Sequence, residues 1–174
     1  MMPLLARLDA HDRALFQHLL LARECRLLSR VWWKTLTHVG GATTTILVVL
    51  LPLLFARGAW HTAAVEGAWI LGLSHVLVQV AKRSATRPRP VAQHGVQRHV
   101  ATPDEFSFPS GHSCAAMAVA FAYAATFPTV AGLLLMLAML VGVSRVRLGV
   151  HFPGDVVAGQ ALALITGFLV HAWP

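Results

Sequence analysis

Apolar residues in this chain fall into long runs parted by short polar breaks, the pattern of a chain that spans a bilayer several times. The first run, Thr37 to Phe55, has no charged residue, with Gly40 and Gly41 near its start and Pro52 near its end. Paired glycines allow close helix approach, and a proline is tolerated near the end of a span. Ala56-Arg57-Gly58 predicts a turn into a second span, about Trp60 to Ala81, with Trp60 at the interface. An alanine-rich third span follows from about Gly111 to Phe127, then a tight turn at Pro128. The fourth runs from about Thr129 to Val143 and, past a connector from Ser144 to Gly154, the fifth from Val156 to Trp173. The expected fold class is all-α, an integral membrane helical bundle of about five transmembrane helices.

Two stretches break this pattern. Residues 3–30 carry Leu4, Leu8, Leu15, Phe16, Leu19 and Leu20 at roughly helical spacing, interleaved with Arg7, Asp12, Arg13, Arg23 and Arg26. That is too much charge to span, and it predicts an N-terminal interfacial amphipathic helix within residues 1–34, broken near His11-Asp12. A helix packed on a loop and facing water is the alternative. Residues 82–109 form a long polar loop with Lys82, Arg83, Arg87, Arg89 and Arg98 and with Pro88, Pro90, Pro103 and Pro109. Loops this long are usually functional. Five spans put the amphipathic helix, this loop and the 144–154 connector on one membrane side. A single domain, residues 1–174, is expected, with its transmembrane core at 37–173 and catalytic loops at 82–112 and 144–155.

Composition sharpens the class. Of 174 residues 56% are hydrophobic and only 12% charged, too little charge for a soluble surface. The net charge of +7 could suggest nucleic acid, but the bases lie between apolar runs. Membrane-surface charge and an anionic substrate explain them better, so no nucleic-acid partner is expected. Cys25 and Cys114 give neither metal-ligand spacing nor a disulfide framework and are expected to be unpaired. Asp9 and Asp12 come early, without the order of a signal peptide, so the first span is expected to serve as the insertion signal.

Three polar groups meet on the predicted common face. They are Lys82 with Arg89-Pro90, then Pro109-Ser110-Gly111-His112, then Ser144-Arg145 with His151 and Asp155. Pro109 stops what precedes it and Ser110 suits the N-cap of the next helix, whose free N–H groups favour an anionic oxygen. Phosphoryl transfer needs little beyond such parts. Its oxygens require preorganised cations and N–H donors, which Lys82, Arg89, Arg145, Ser110 and Gly111 can supply. A neutral imidazole can attack in line and a second histidine can protonate the departing oxygen. Asp155, one helical turn beyond His151, is placed to accept from its ring N–H and fix the tautomer. His112 has no such partner and takes the acid role. Asp104, Glu105 and Asp155 are the only acids after Glu66, so neither a metal nor a cofactor is expected. Each residue also has a bland explanation. A base at a span end is more often a snorkelling anchor, a lone interfacial histidine is usually structural, and Asp155 could simply cap a helix.

Lys82–x6–Arg89-Pro90, Pro109-Ser110-Gly111-His112 and Ser144-Arg145–x5–His151–x3–Asp155 together resemble the three-part signature of the type-2 phosphatidic acid phosphatase superfamily. The resemblance implies a small bacterial membrane lipid phosphatase that works without metal. It implies that His151 forms a phosphohistidine, that Asp155 orients it, that His112 is the leaving-group acid and that Lys82, Arg89, Ser110, Gly111 and Arg145 cradle the phosphate. Membrane members usually have six helices; here residues 3–30 stand in for the first as an interfacial counterpart.

The substrate expected is a phosphomonoester or diphosphate of a lipid: phosphatidylglycerol phosphate, phosphatidic acid or a polyprenyl diphosphate. One alternative is an undecaprenyl-diphosphate phosphatase that recycles the cell-wall lipid carrier. Vanadate-dependent haloperoxidases share the signature but are soluble and much larger, and a noncatalytic lipid-binding scaffold would carry a damaged motif. The sequence leaves oligomeric state open. His75 and Gln79 lie one turn apart toward Lys82, and an interhelical hydrogen-bonded pair is expected there ahead of a role in lining the site; Glu66 is given a structural role. In this multi-pass cell (inner) membrane protein, only Arg57 of the 14 Lys and Arg falls opposite the polar face. The positive-inside rule then predicts a cytoplasmic site, whereas resemblance to many bacterial members implies an outward one.

Overall fold

The computed structural model describes residues 2–20, 27–90, 100 and 105–173, the side chains of the first helix from residue 7 onward. Among the described residues seven α-helices form: α1 (Met2–Leu19), α2 (Leu27–Val39), α3 (Ala42–Phe55), α4 (Ala59–Ala85), α5 (Gly111–Thr126), α6 (Ala131–Arg147) and α7 (Pro153–His171). No strand occurs among the described residues; Pro88 and Phe106 make an isolated antiparallel bridge. The all-α membrane bundle expected from the apolar runs is the fold observed.

The spans are less uniform than the five expected. Ala59–Ala85, Pro128–Arg147 and Pro153–His171 each have the length and apolarity to cross a bilayer. α2 and α3 pass that test only together, as a pair bent by 45°. Gly40 and Gly41 therefore mark a break within the first span. Packing requires glycine at position 40: a Cβ there would stand 2.3 Å from Val141 Cγ1 and 3.1 Å from the His112 carbonyl. α5 has 16 residues and is the bundle's inner helix, packed on α4, α6 and α7. Ala118 and Ala122 are fully buried along it, and such small side chains let neighbouring backbones approach. A helix clothed by protein on all sides need not match the bilayer's thickness.

Large apolar residues that elsewhere would be buried, such as Leu54, Trp69 and Phe168, are exposed on the outer faces, where lipid takes the place of a core. Glu66 accepts from His171 Nδ1 at 2.8 Å, joining α4 to the end of α7. Its structural role is the one expected.

α1 runs unbroken through His11-Asp12 to Leu19, so the expected break is absent. Arg13 reaches back to Asp9 at 2.7 Å, an i,i+4 pair that helps hold the helix there. Phe16 is fully buried against Phe152, with ring centroids 5.2 Å apart, while Leu8 and Leu15 are exposed. Of the cysteines, Cys114 is free and buried in α5; Cys25, with Arg23, Arg26, Arg98 and Asp104, lies outside the described residues.

Candidate active site

The three polar groups converge on one cavity of about 510 Å³, lined at its polar end by Lys82, Arg89, Gly111, His112, Arg145 and His151. They arrive from the end of α4, the start of α5, the last turn of α6 and the connector before α7. Gly149, at φ 77°, supplies the left-handed turn that lets this connector double back and deliver His151.

His151 is almost wholly buried, and both ring nitrogens are engaged. Nδ1 lies 2.7 Å from the Ser107 carbonyl, and Arg89 Nη1 lies 3.1 Å from Nε2. A carbonyl can only accept and a guanidinium can only donate. Nδ1 therefore carries the hydrogen, and the unprotonated Nε2 accepts from Arg89 beside the cavity that His151 lines. Burial lowers the pKa of His151 to about 4, with Arg145 and Arg89 acting in the same direction against Asp155, so the ring is neutral at physiological pH. This is the protonation state of a nucleophile.

The direct acceptor from Nδ1 is the Ser107 carbonyl. Asp155 Oδ2 stands 3.6 Å from Nδ1, beyond a hydrogen bond, which corrects the expected His151–Asp155 bond. The Asp155 carboxylate is occupied elsewhere. Oδ2 accepts the Phe152 N–H at 2.8 Å, capping α7, and Oδ1 accepts from Arg87 Nη1 at 2.7 Å. Its backbone carbonyl accepts the Ser110 N–H at 2.9 Å, which stitches the second polar group to the third. Asp155 thus acts on His151 through charge and through the connector's shape.

The other predicted residues divide in two. Lys82 donates to the Phe106 carbonyl at 3.2 Å, and Arg89 to the Val150 carbonyl at 2.9 Å, so both cations are anchored at the rim they line. Arg145 is buried and donates from Nη1 to the Thr37 hydroxyl, and its Nε has no protein acceptor among the described residues. Gly111 and His112 open α5 onto the cavity. Ser110 is different. It occupies the N-cap position but makes no side-chain cap, because its hydroxyl pairs with that of Ser113 at 2.9 Å, and it is fully buried. A Cβ on Gly159 would sit 2.4 Å from the Ser110 carbonyl, so α7 packs directly against the backbone of this turn.

Sequence reasoning missed three functional positions. Thr37, read as the start of a span, holds Arg145. Ser107 fixes His151 while its own N–H and hydroxyl bond the carbonyls of Arg87 and Pro88. Arg87 is the third. It binds Asp155, Asp9 Oδ1 at 2.9 Å and Asp12 Oδ2 at 2.8 Å, and lies 4.2 Å over the Phe152 ring. Burial works against its charge, but Asp155 and Asp12 outweigh it and raise the guanidinium pKa above its ordinary value. Asp12 Oδ1 also accepts the Gly154 N–H at 2.7 Å. α1 is thereby fastened to the segment that carries His151. A loop rich in bases beside a helix with two early acids was the available signal.

Similar proteins share this arrangement of helices. Over 155 residues the chain is 34% identical to phosphatidylglycerophosphatase B of Bacillus subtilis, covering 78% of this chain and 70% of that one. It is 32% identical over 143 residues to a decaprenylphosphoryl-5-phosphoribose phosphatase of Mycobacterium tuberculosis, covering 79% and 76%. The crystal structure of a transmembrane PAP2-type phosphatidylglycerolphosphate phosphatase from Bacillus subtilis superposes with a TM-score of 0.76 at 25% identity, covering 96% of this chain and 86% of that one. The family model described as the PAP2 superfamily matches residues 63–174, the stretch that holds all three polar groups, and the chain belongs to that superfamily.

Proposed function

We propose that this membrane-embedded chain is a metal-independent lipid phosphatase working through a phosphohistidine on His151. The observation that carries this is the unprotonated Nε2 of a buried, neutral His151 beside a cavity lined by three cations and by apolar side chains; Arg89 releases Nε2 as the incoming phosphate takes the guanidinium. A lipid's phosphate enters the polar end while its tail stays among the helices. Nε2 attacks phosphorus in line; the N–P bond forms as the bond to the leaving oxygen breaks, and His112 protonates that oxygen. Arg89, Arg145, Lys82 and the Gly111 N–H hold the non-bridging oxygens. The incoming phosphate's negative charge offsets these cations and so favours the protonated His112 that the step needs. Water then attacks the phosphohistidine, giving its proton to His112; the N–P bond breaks and phosphate leaves. Ser110, being fully buried, shapes the turn that presents Gly111 and His112.

The whole chain acts as one domain in this account. The phosphorylated lipid belongs to the class named for its relatives, phosphates and diphosphates of membrane lipids. Charge favours a cytoplasmic site in the cell membrane, and labelling of an introduced Arg57→Cys from outside intact cells tests it. Labelling supports that orientation; protection contradicts it.

The activity is tested by phosphate release from phosphatidylglycerol phosphate, phosphatidic acid and a long-chain polyprenyl diphosphate, using detergent-purified protein in EDTA. Release from at least one lipid, absent in His151→Ala, is expected. Release that requires added metal, or that survives in the variant, overturns the mechanism.

A further inference from the structure

Below its cationic rim the cavity runs between α3 and α4 and is walled by Ile46, Val49, Leu50, Leu53 and Leu71. Apart from Thr45, whose hydroxyl donates to the Gly41 and Ala42 carbonyls, two polar side chains interrupt this apolar wall, His75 and Gln79. They were expected as an interhelical pair. Instead they bond each other along α4, with Gln79 Nε2 3.2 Å from His75 Nε2, and both are exposed to the cavity. In that contact the amide donates and the imidazole accepts. The Gln79 carbonyl, its second amide hydrogen and the His75 Nδ1–H are left for something else.

Their depth says what that is. Lys82, Gln79 and His75 share the cavity-facing side of α4, so at the helical rise Gln79 lies about 4–5 Å and His75 about 10 Å below the cation that meets phosphate. In a glycerophospholipid the ester carbonyls stand a few bonds from phosphorus, a reach of roughly 5–8 Å at about 1.5 Å per bond. A polyprenyl diphosphate places its second phosphate near the depth of Gln79 but is hydrocarbon beyond it, and so offers His75 no acceptor. Polar groups covered by an apolar chain lose hydrogen bonds, whereas ester carbonyls satisfy them.

Given the phosphatase reading above, we propose that His75 and Gln79 form an ester-binding subsite that selects phosphate monoesters of diacylglycerol over polyprenyl diphosphates. The pair belongs to the specificity of the site, since it stands away from the reacting atoms.

The test compares diacyl phosphatidic acid, its dialkyl ether analogue with the same headgroup and chain length, and a polyprenyl diphosphate, with kcat/KM measured in detergent micelles. The wild type should favour the diacyl over the ether substrate by about tenfold, the value of a lost hydrogen-bond partner in a polar subsite. Gln79→Met and His75→Leu should each pull that ratio toward one, chiefly through KM, and should raise relative turnover of the diphosphate. Taking the ratio within each protein cancels differences in folding or yield. A wild-type ratio near one, or a ratio unchanged in both variants, overturns the subsite while phosphate release leaves the phosphatase reading intact. Failure of the wild type to release phosphate from any of the three, or from phosphatidylglycerol phosphate, overturns both.

Discussion

Arg87 and Arg89 stand two residues apart on one loop and are put to different uses. Arg87 turns outward to α1 and closes on three carboxylates, those of Asp9, Asp12 and Asp155. Arg89 turns inward, donating to a backbone carbonyl and to His151 Nε2 at the cavity wall. A guanidinium bound by three carboxylates serves architecture; Arg89 lines the cavity, where its charge can meet an incoming anion. The loop therefore has a structural side and a chemical side. Asp155 and His151 sit at the seam between them.

The largest effect should come at the chemical side. His151→Ala removes the nucleophile, and phosphate release should fall to background in the EDTA assay. Arg89→Ala or Arg145→Ala should lower kcat by on the order of 10²–10³, as for loss of one preorganised donor, with little change in thermal midpoint. Arg87→Met should show the reverse emphasis. It leaves Asp155 buried beside a vacated partner, which costs on the order of 3 kcal/mol and should lower the thermal midpoint, with activity falling through misplacement of His151. Equal effects of Arg87 and Arg89 substitutions on both readouts would erase the distinction drawn between them.

Acid should sharpen the same contrast. Burial holds His151 at a pKa of about 4, against 6.5 when unfolded. Between those values the unfolded chain binds the extra proton, so stability declines as pH falls from 6.5 toward 4, by up to about 3 kcal/mol from this residue. Comparing thermal midpoints of the wild type and His151→Gln across that window isolates the contribution; parallel curves would contradict a buried neutral imidazole. The smallest effect is expected at α1. Asp12→Asn keeps an acceptor for Gly154 N–H but weakens the Arg87 pairing, at about 1 kcal/mol, and a double-mutant cycle with Arg87→Met should show coupling.

The bundle was legible because charge-free runs such as those forming α6 and α7 have one stable environment, lipid and other helices. The break between α2 and α3 was not, since the glycines that permit close approach along a helix also permit its interruption. What requires a glycine at position 40 is Val141 and the His112 carbonyl, both far away in sequence. At the site, residues whose chemistry is in their side chains, the three cations and two histidines, could be named from sequence. Those that work through backbone atoms or distant pairings could not. The Ser107 carbonyl is invisible in a side-chain code, and Arg87 finds Asp9 and Asp12 across most of the chain. Ser110 was assigned a cap on residue type, yet its hydroxyl makes no cap and pairs with Ser113.

The most direct test of the account is capture of the intermediate itself. The protein is mixed with phosphorylated lipid, quenched in alkali to preserve phosphoramidate, and digested for mass spectrometry. Because Nδ1–H is committed to the Ser107 carbonyl and Nε2 is unprotonated, the phosphoryl group should be found on His151, attached at Nε2. A turning-over enzyme that yields no phosphorylated His151, or carries the group on Nδ1 or on another residue, would contradict it.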